Sequence, residues 1–425
     1  MVSSPEGSMR ILFASIGSLG DLHPALALAT AARERGHTSI IAAPEVYTEY
    51  VARLGFEYRR LRPDFKTETM IEIFSHPRRG AGMLMSEKIF PFVRDTYEDL
   101  LAAAKDADFI VTGELVYVVP LVAAKLGLPW ANAILSPTSF LSVCDPCVLA
   151  ICPEIYHLRH LGTWVNRLLY QFGRWKAARW SAPLTALHNE LGLPAKGNAV
   201  FEGKYSPHLV LTMFPEWFSK PQSDWPTTSV QTGFPYFTQP SEAEINRKIE
   251  AFLAAGKPPI VFTLGSTAVH LAKDFYQIAA ETAQKLGRRA VLLIGKNTPP
   301  VAPADQILCV SYAPLGLLFS GAAVVVHHGG IGTCAEVLQA GAPALIIPFA
   351  FDQPDNAERL RQLGLAQVLD RNLISSAALF RKVQTILADP AMSQRASEVA
   401  QRIKPAEDLT HAIEAIERTV AARPS

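Results

Sequence analysis

Net charge is nearly absent from this chain of 425 residues: 40 Lys and Arg stand against 39 Asp and Glu. A nucleic-acid partner calls for a basic surplus, so none is expected. Cysteine is scarce, at five residues, which argues against a disulfide scaffold. No run of roughly 18 apolar residues occurs, so no transmembrane helix is expected. The stretch from Met1 to Met9 lacks the basic and apolar regions of a signal peptide, and Met9 is the expected natural start. These absences together suggest a cytoplasmic protein. What the chain does have is length natural for two domains and an apolar share of 49%, enough for two cores.

Both halves alternate apolar strand-like runs with amphipathic stretches. In the first half the strands are expected at Arg10–Ser15, Thr38–Ala43, Phe56–Leu61, Phe109–Thr112 and Trp130–Leu135. In the second they are expected at Ile260–Leu264, Ala290–Ile294, Ile307–Val310, Ala322–Val326 and Ala344–Ile347. Such alternation implies parallel sheets covered on both faces, hence an α/β fold of two doubly wound domains facing a cleft. Between the halves, the Pro-, Ser- and Thr-rich stretch Phe214–Pro240 reads as a linker. The expected domains are 9–220 and 241–402, followed by 403–425, where Leu409, Ile413, Ile416 and Val420 have helical spacing.

The densest signal lies at His327-His328-Gly329-Gly330-Ile331-Gly332-Thr333-Cys334-Ala335-Glu336, then Asp352-Gln353-Pro354-Asp355-Asn356. A strand, a Gly-rich turn and a helix start follow one another. Small residues let backbone approach a ligand, and exposed N–H groups at a helix start favour a phosphate. Asp352 and Gln353 follow the next strand, at the sheet end where α/β folds bind ligands. One end of this module suits a diphosphate, and its neighbour suits a hydroxyl-rich group such as a sugar.

The segment from about Val310 to Val368 resembles the donor-binding signature of family 1 glycosyltransferases, which use nucleotide-diphosphate sugars and have the GT-B fold. Its wording is closest to the bacterial rhamnosyltransferase and sterol branches. The resemblance implies an inverting, metal-independent hexosyltransferase. It would move glucose or rhamnose from a UDP- or dTDP-sugar to a hydroxyl of a small lipophilic acceptor, such as a flavonoid, polyketide, sterol or hydroxy-lipid. It requires no cofactor beyond the nucleotide sugar as co-substrate. By the same resemblance, Ser266 and Thr267 contact the donor phosphates, with a plain hydroxyl-capped turn as the competing reading. Tyr312 stacks on the base and Ala313 reads it through the backbone. His328 contacts the leaving diphosphate, Gly330, Gly332 and Thr333 form the phosphate turn, and Glu336 binds ribose. Asp352 and Gln353 bind sugar hydroxyls, although Asp352 also looks like an acidic helix cap. A final helix often crosses back to the first domain in this family.

An acceptor hydroxyl must lose its proton as the new bond forms. In the first turn, Gly17-Ser18-Leu19-Gly20-Asp21-Leu22-His23-Pro24, the family's base position falls on Asp21, as in the glycopeptide and sterol branches. His23 is the rival, because an ordinary histidine pKa of about 6.5 suits base catalysis better than an aspartate's of about 3.9. Burial against apolar surface raises a carboxyl pKa and keeps Asp21 in play. Glu114 is the counterpart of the carboxylate that orients the base in histidine branches.

Two further stretches attract notice. Cys144, Cys147, Cys152, His157 and His160 have a loose metal-ligand spacing, but a second cysteine pair is missing and no metal is expected. Residues 155–180 mix aromatic and leucine side chains with Arg and Lys. Three readings stay open: an acceptor lid, a weakly membrane-associated surface helix, or helices packed on the first sheet. Two alternatives to transfer also stay open, a sugar-nucleotide epimerase and a non-catalytic partner of another glycosyltransferase.

Overall fold

The computed structural model describes residues 7–193, 195, 197–238, 243–301 and 305–422. Most of the leader before Met9 and the expected second-domain start at residue 241 lie outside these residues. Strands β1 (Arg10–Ala14), β2 (Thr38–Ala43), β3 (Glu57–Arg60), β4 (Phe109–Thr112), β5 (Trp130–Ile134), β6 (Leu209–Thr212) and β7 (Ser229–Gln231) form one sheet. Its order is β3-β2-β1-β4-β5-β6-β7. Strands β8 (Ile260–Thr263), β9 (Ala290–Leu293), β10 (Ile307–Val310), β11 (Val324–His327), β12 (Ala344–Ile346) and β13 (Ala366–Val368) form the second, in the order β10-β9-β8-β11-β12-β13. All the pairings are parallel. The central strands are buried on both faces, which explains their unbroken apolar runs.

Each sheet reverses its winding between its first and fourth strands, β1 and β4 in one, β8 and β11 in the other. Loops leaving such neighbours diverge to opposite faces and leave a crevice at the carboxyl ends of the strands. The turn with Asp21 follows β1, and Glu114 follows β4. Gly265–Thr267 follow β8, and His328–Thr333 follow β11. The candidate residues therefore lie at the two switch points.

The stretch expected to be a linker departs from that reading. Phe214, Phe218, Trp225 and Phe234 are buried in a cluster that continues into the second domain's core, and Ser229–Gln231 add a strand to the first sheet. The first sheet thus extends past residue 220. Its prolines interrupt any periodicity, so the apolar anchors between them carried no strand or helix pattern. The final helix, Pro405–Ala421, buries Ala412, Ile413, Ala415 and Ile416 in the first domain's core. Its Glu417 accepts from Arg35 at 2.7 Å and lies 2.9 Å from the His37 ring.

Contacts across the cleft hold the domains together. Asp355 accepts from the Val148 N–H at 2.9 Å and the Thr138 hydroxyl at 3.3 Å. Arg359 bridges Asp355 at 2.8 Å to Asp145 at 2.9 Å. The Phe74 and Phe351 rings meet edge to face with centroids 5.0 Å apart.

Candidate active site

One cavity of about 2630 Å³ runs along the cleft, and Asp21, His23, Glu114, Ser266, Thr267, Tyr312, Ala313, His328, Gly330, Gly332, Thr333, Glu336, Asp352 and Gln353 all line it.

On the first-domain side, Ser18 caps the helix Leu19–Glu34, and Asp21 closes the capping box. The Asp21 carboxylate accepts from the Ser18 N–H at 2.8 Å and the Ser18 hydroxyl at 3.0 Å. Gly17 has φ +132°, and a Cβ there would sit 2.3 Å from that carboxylate, so glycine is what lets the side chain fold back. Burial raises the Asp21 pKa from 3.8 to about 6; the Ser18 bonds oppose the rise and the charge of Glu114 adds to it. A carboxylate so placed is ionised at neutral pH yet a far better proton acceptor than one in water.

His23 sits in a different setting. Its Nε2 lies 3.2 Å from the Tyr50 hydroxyl and its ring centroid 5.2 Å from that of Phe237. Burial lowers its pKa to about 4, so it is neutral. Tyr50 in turn lies within electrostatic reach of Tyr312 across the cleft. Glu114 accepts from the Leu135 N–H at 3.0 Å and from the Ser139 hydroxyl. Its hydrogen bonds thus hold the loop after β5, and its charge raises the pKa of both Asp21 and Asp352.

On the second-domain side, the helix Ile331–Ala340 starts at Gly330 without a side-chain cap. The N–H groups of its first turn have no acceptor within the helix. Asp352 takes that of Ile331 at 3.3 Å, which leaves the Gly332 and Thr333 amides for a ligand. The His328 ring is wedged between two glycines: a Cβ on Gly265 would lie 2.4 Å from it, and one on Gly330 2.6 Å. Its Nδ1 is buried without a hydrogen-bond partner, and burial lowers its pKa to about 4. His327 ends β11, is fully buried, and accepts from the Gly329 N–H at 3.2 Å.

Two cap expectations are corrected. Asp352 precedes the helix Gln353–Gln362, but its backbone is already helical (φ −76°, ψ −16°), and its side chain accepts from none of that helix's backbone N–H groups. It reaches the neighbouring helix start and the Asn356 amide at 2.6 Å instead. Ser266 and Thr267 lie inside the short helix Gly265–Ala268, which has no side-chain cap; the Gly265 N–H donates to Thr263 at 3.2 Å. Both residues line the cavity. Gln353 is buried and its amide oxygen accepts from the Phe349 and Ala350 N–H groups at 2.8 and 3.0 Å, so its carbonyl shapes the loop.

Burial raises the Glu336 and Asp352 pKa values to about 7 each. Tyr312 and Ala313 line the cavity, Ala313 as a buried residue. Sequence reasoning missed Tyr50, Phe237 and Phe351, which also shape or line the cavity. Phe351 carried one signal, its place immediately before Asp352. Phe237 and Tyr50 carried none, being aromatic residues in unremarkable segments. The five cysteines are free, and among the described residues no group of three or more His, Cys, Asp or Glu side chains could hold a metal ion.

Residues 293–414 match the family model of the erythromycin biosynthesis protein CIII-like C-terminal domain. The chain is 32% identical over 411 residues to an O-mycaminosyltylonolide 6-deoxyallosyltransferase of Streptomyces fradiae, covering 93% of this chain and 94% of that one. It is 28% identical to a vancomycin aglycone glucosyltransferase of Amycolatopsis orientalis, covering 93% and 94%. The solved structure of the glycosyltransferase VinC in complex with dTDP superposes with a TM-score of 0.68 at 20% identity, covering 97% and 100%.

Proposed function

The chain belongs to family 1 of the GT-B glycosyltransferases, and we propose that it moves a 6-deoxyhexose from a dTDP-sugar to a hydroxyl of a lipophilic natural-product acceptor, with inversion. That it is a glycosyltransferase follows from its relatives. The supporting observation for the specific reading is that Asp21 and the uncapped helix start at Gly330 line one cavity at facing switch points.

In this reading the acceptor hydroxyl gives its proton to the Asp21 carboxylate as its oxygen attacks the sugar's anomeric carbon. The bond from that carbon to the phosphate oxygen breaks on the opposite face, which inverts the centre. The nucleoside diphosphate leaves with the electron pair, and the Gly332 and Thr333 amides and His328 receive the charge. The helix dipole and neutral imidazole N–H suit this role, since neither needs reorganisation when the charge develops. Tyr312 packs on the base, and Glu336 faces the nucleoside ribose. Ser266 and Thr267 approach the phosphates from the opposite loop.

The preference for a deoxysugar is supported by where the polar groups of the sugar site are spent. The Asp352 Oδ2 is engaged by Ile331 and Asn356 and the Gln353 carbonyl by two backbone amides, which leaves the Asp352 Oδ1 and the Gln353 NH2 to meet the sugar. Phe351, with its apolar ring, lines the same wall. Fewer free acceptors suit a sugar with fewer hydroxyls. A dTDP nucleotide is bound by VinC. Mass spectrometry of products from dTDP- and UDP-sugar pools with mixed polyketide, flavonoid and hydroxy-lipid acceptors tests the proposal. The expected gain is one deoxyhexosyl residue; transfer from UDP-glucose alone would refute the donor assignment.

A further inference from the structure

We propose that the outer face of the helix Thr163–Trp180 docks on an anionic lipid bilayer and so sets the mouth of the acceptor chamber against the membrane. The helix has two apolar faces. Its inner face buries Asn166 and Ala177, places Leu169, Tyr170 and Trp180 on the cavity wall, and ties to the first domain through Asn166, which donates to the Val143 carbonyl at 3.0 Å. That face is accounted for by the fold.

The outer face is not. Leu161, Trp164, Leu168, Phe172 and Trp175 recur every three or four residues, so they share one side of the helix and the turn before it. They are 58%, 63%, 62%, 57% and 54% exposed. Single exposed apolar residues are ordinary, but a row with two tryptophans on one helix marks an interaction surface.

The surrounding charge selects the occupant. Between Glu154 and Glu190 the sequence holds no carboxylate, whereas Arg159, Arg167, Arg174, Lys176 and Arg179 fall there in a chain of net charge +1. Arg174 is engaged by Glu202. Arg179 lies 4.4 Å over the Trp175 ring, and Lys176 is 5.6 Å from the Phe172 centroid. Cations placed beside exposed aromatic rings match a surface that offers lipid phosphates above an acyl boundary. A second copy pairing row to row would offer Arg167 and Arg179 no carboxylate from this helix. Phe172 and Lys176 also line the cavity, so its mouth adjoins this face. The delivery of a lipophilic acceptor from the bilayer rests on the function proposed above; the docking itself does not.

The test is co-sedimentation of the full chain with vesicles, without donor or acceptor. Vesicles of equal phosphatidylglycerol and phosphatidylcholine are expected to bind it, reversibly by salt, and phosphatidylcholine alone to bind it weakly. Replacing Trp164, Leu168 and Trp175 together by serine is expected to lower the partition about tenfold or more while leaving solution transfer intact. The pair Arg167→Glu and Arg179→Glu is expected to remove the preference for anionic vesicles. Absence of binding by the unaltered chain, or equal binding by the triple variant, overturns the proposal. So does light scattering that shows an oligomer which the triple variant converts to monomer, since the row would then pair with a second copy. Loss of transfer with vesicle binding intact would count against the proposed function alone.

Discussion

Replacing Asp21 by asparagine is expected to separate the chemistry from the binding. Asparagine keeps the size and one acceptor oxygen toward Ser18, but it cannot take a proton from an acceptor hydroxyl. Loss of a positioned base costs about 100- to 10,000-fold in rate. Donor binding is expected to stay within roughly threefold, since the amides proposed to hold the phosphates and His328 belong to the other domain. The stability effect has a definite sign. The Asp21 pKa is raised from 3.8 to about 6, so its contribution to stability is fully present below pH 3.8 and is lost as pH rises through about 6. At ~1.4 kcal/mol per pKa unit, that loss is at most about 3 kcal/mol for the rise from 3.8 to about 6. The asparagine variant has no such dependence. Near pH 8 it should be at least as stable as the unaltered chain, and near pH 4 less stable by the weakened capping box, about 0.5–2 kcal/mol. Thermal unfolding across pH, calorimetric titration with dTDP, and single-turnover transfer measure the three quantities. The unaltered enzyme should lose kcat/KM as pH falls through about 6, and the variant's residual rate should lack that limb. Transfer within threefold of normal, or equal loss of dTDP affinity, would remove Asp21 from the base role.

His23→Asn should reduce transfer by less than about tenfold, because the pKa of about 4 leaves little for a proton acceptor to gain; a loss as large as that of Asp21→Asn in the same assay would reverse the assignment. Gly265→Ala forces a Cβ at φ +71° to within 2.4 Å of the His328 ring, whereas Gly332→Ala meets no atom within 4 Å. The first should lower the melting temperature and weaken dTDP binding; the second should leave melting unchanged and weaken binding alone. Arg359→Met strands the carboxylate of Asp355, which is only 2% exposed. Removing one partner of such a pair costs about 3–5 kcal/mol, to be read by denaturant unfolding, and an unchanged midpoint would show that the cross-cleft bridge is dispensable.

Much of the fold was open to reading because its strands are buried on both faces. Apolar runs such as Phe109–Thr112 and Ile260–Thr263 bounded by turn residues admit few other structures. β7, Ser229–Gln231, and β13, Ala366–Val368, went unread because each is three residues long and only partly buried, whereas β6, Leu209–Thr212, is as buried as β4 and follows Ser206-Pro207, so it was legible. The candidate donor site was legible where the proposed chemistry needs backbone. Gly329, Gly330 and Gly332 mark an approach that side chains would block, and such a mark is local in sequence. The acceptor half left no comparable mark, since its walls are apolar side chains that any core could use.

By itself the sequence determined the two-domain α/β plan, the Gly-rich turn with its histidine, and the resemblance to glycosyltransferases. Each depends on periodicity or on residues adjacent along the chain. Only the tertiary structure set the protonation of Asp21 and His23 apart, because a pKa answers to what surrounds a group in space: Ser18, Glu114 and burial for one, Tyr50 and Phe237 for the other. It alone showed Asp352 bonded to a helix 21 residues away rather than capping its own. It alone showed that the row from Leu161 to Trp175 faces outward, since a helix amphipathic in sequence does not say which side the rest of the molecule will cover.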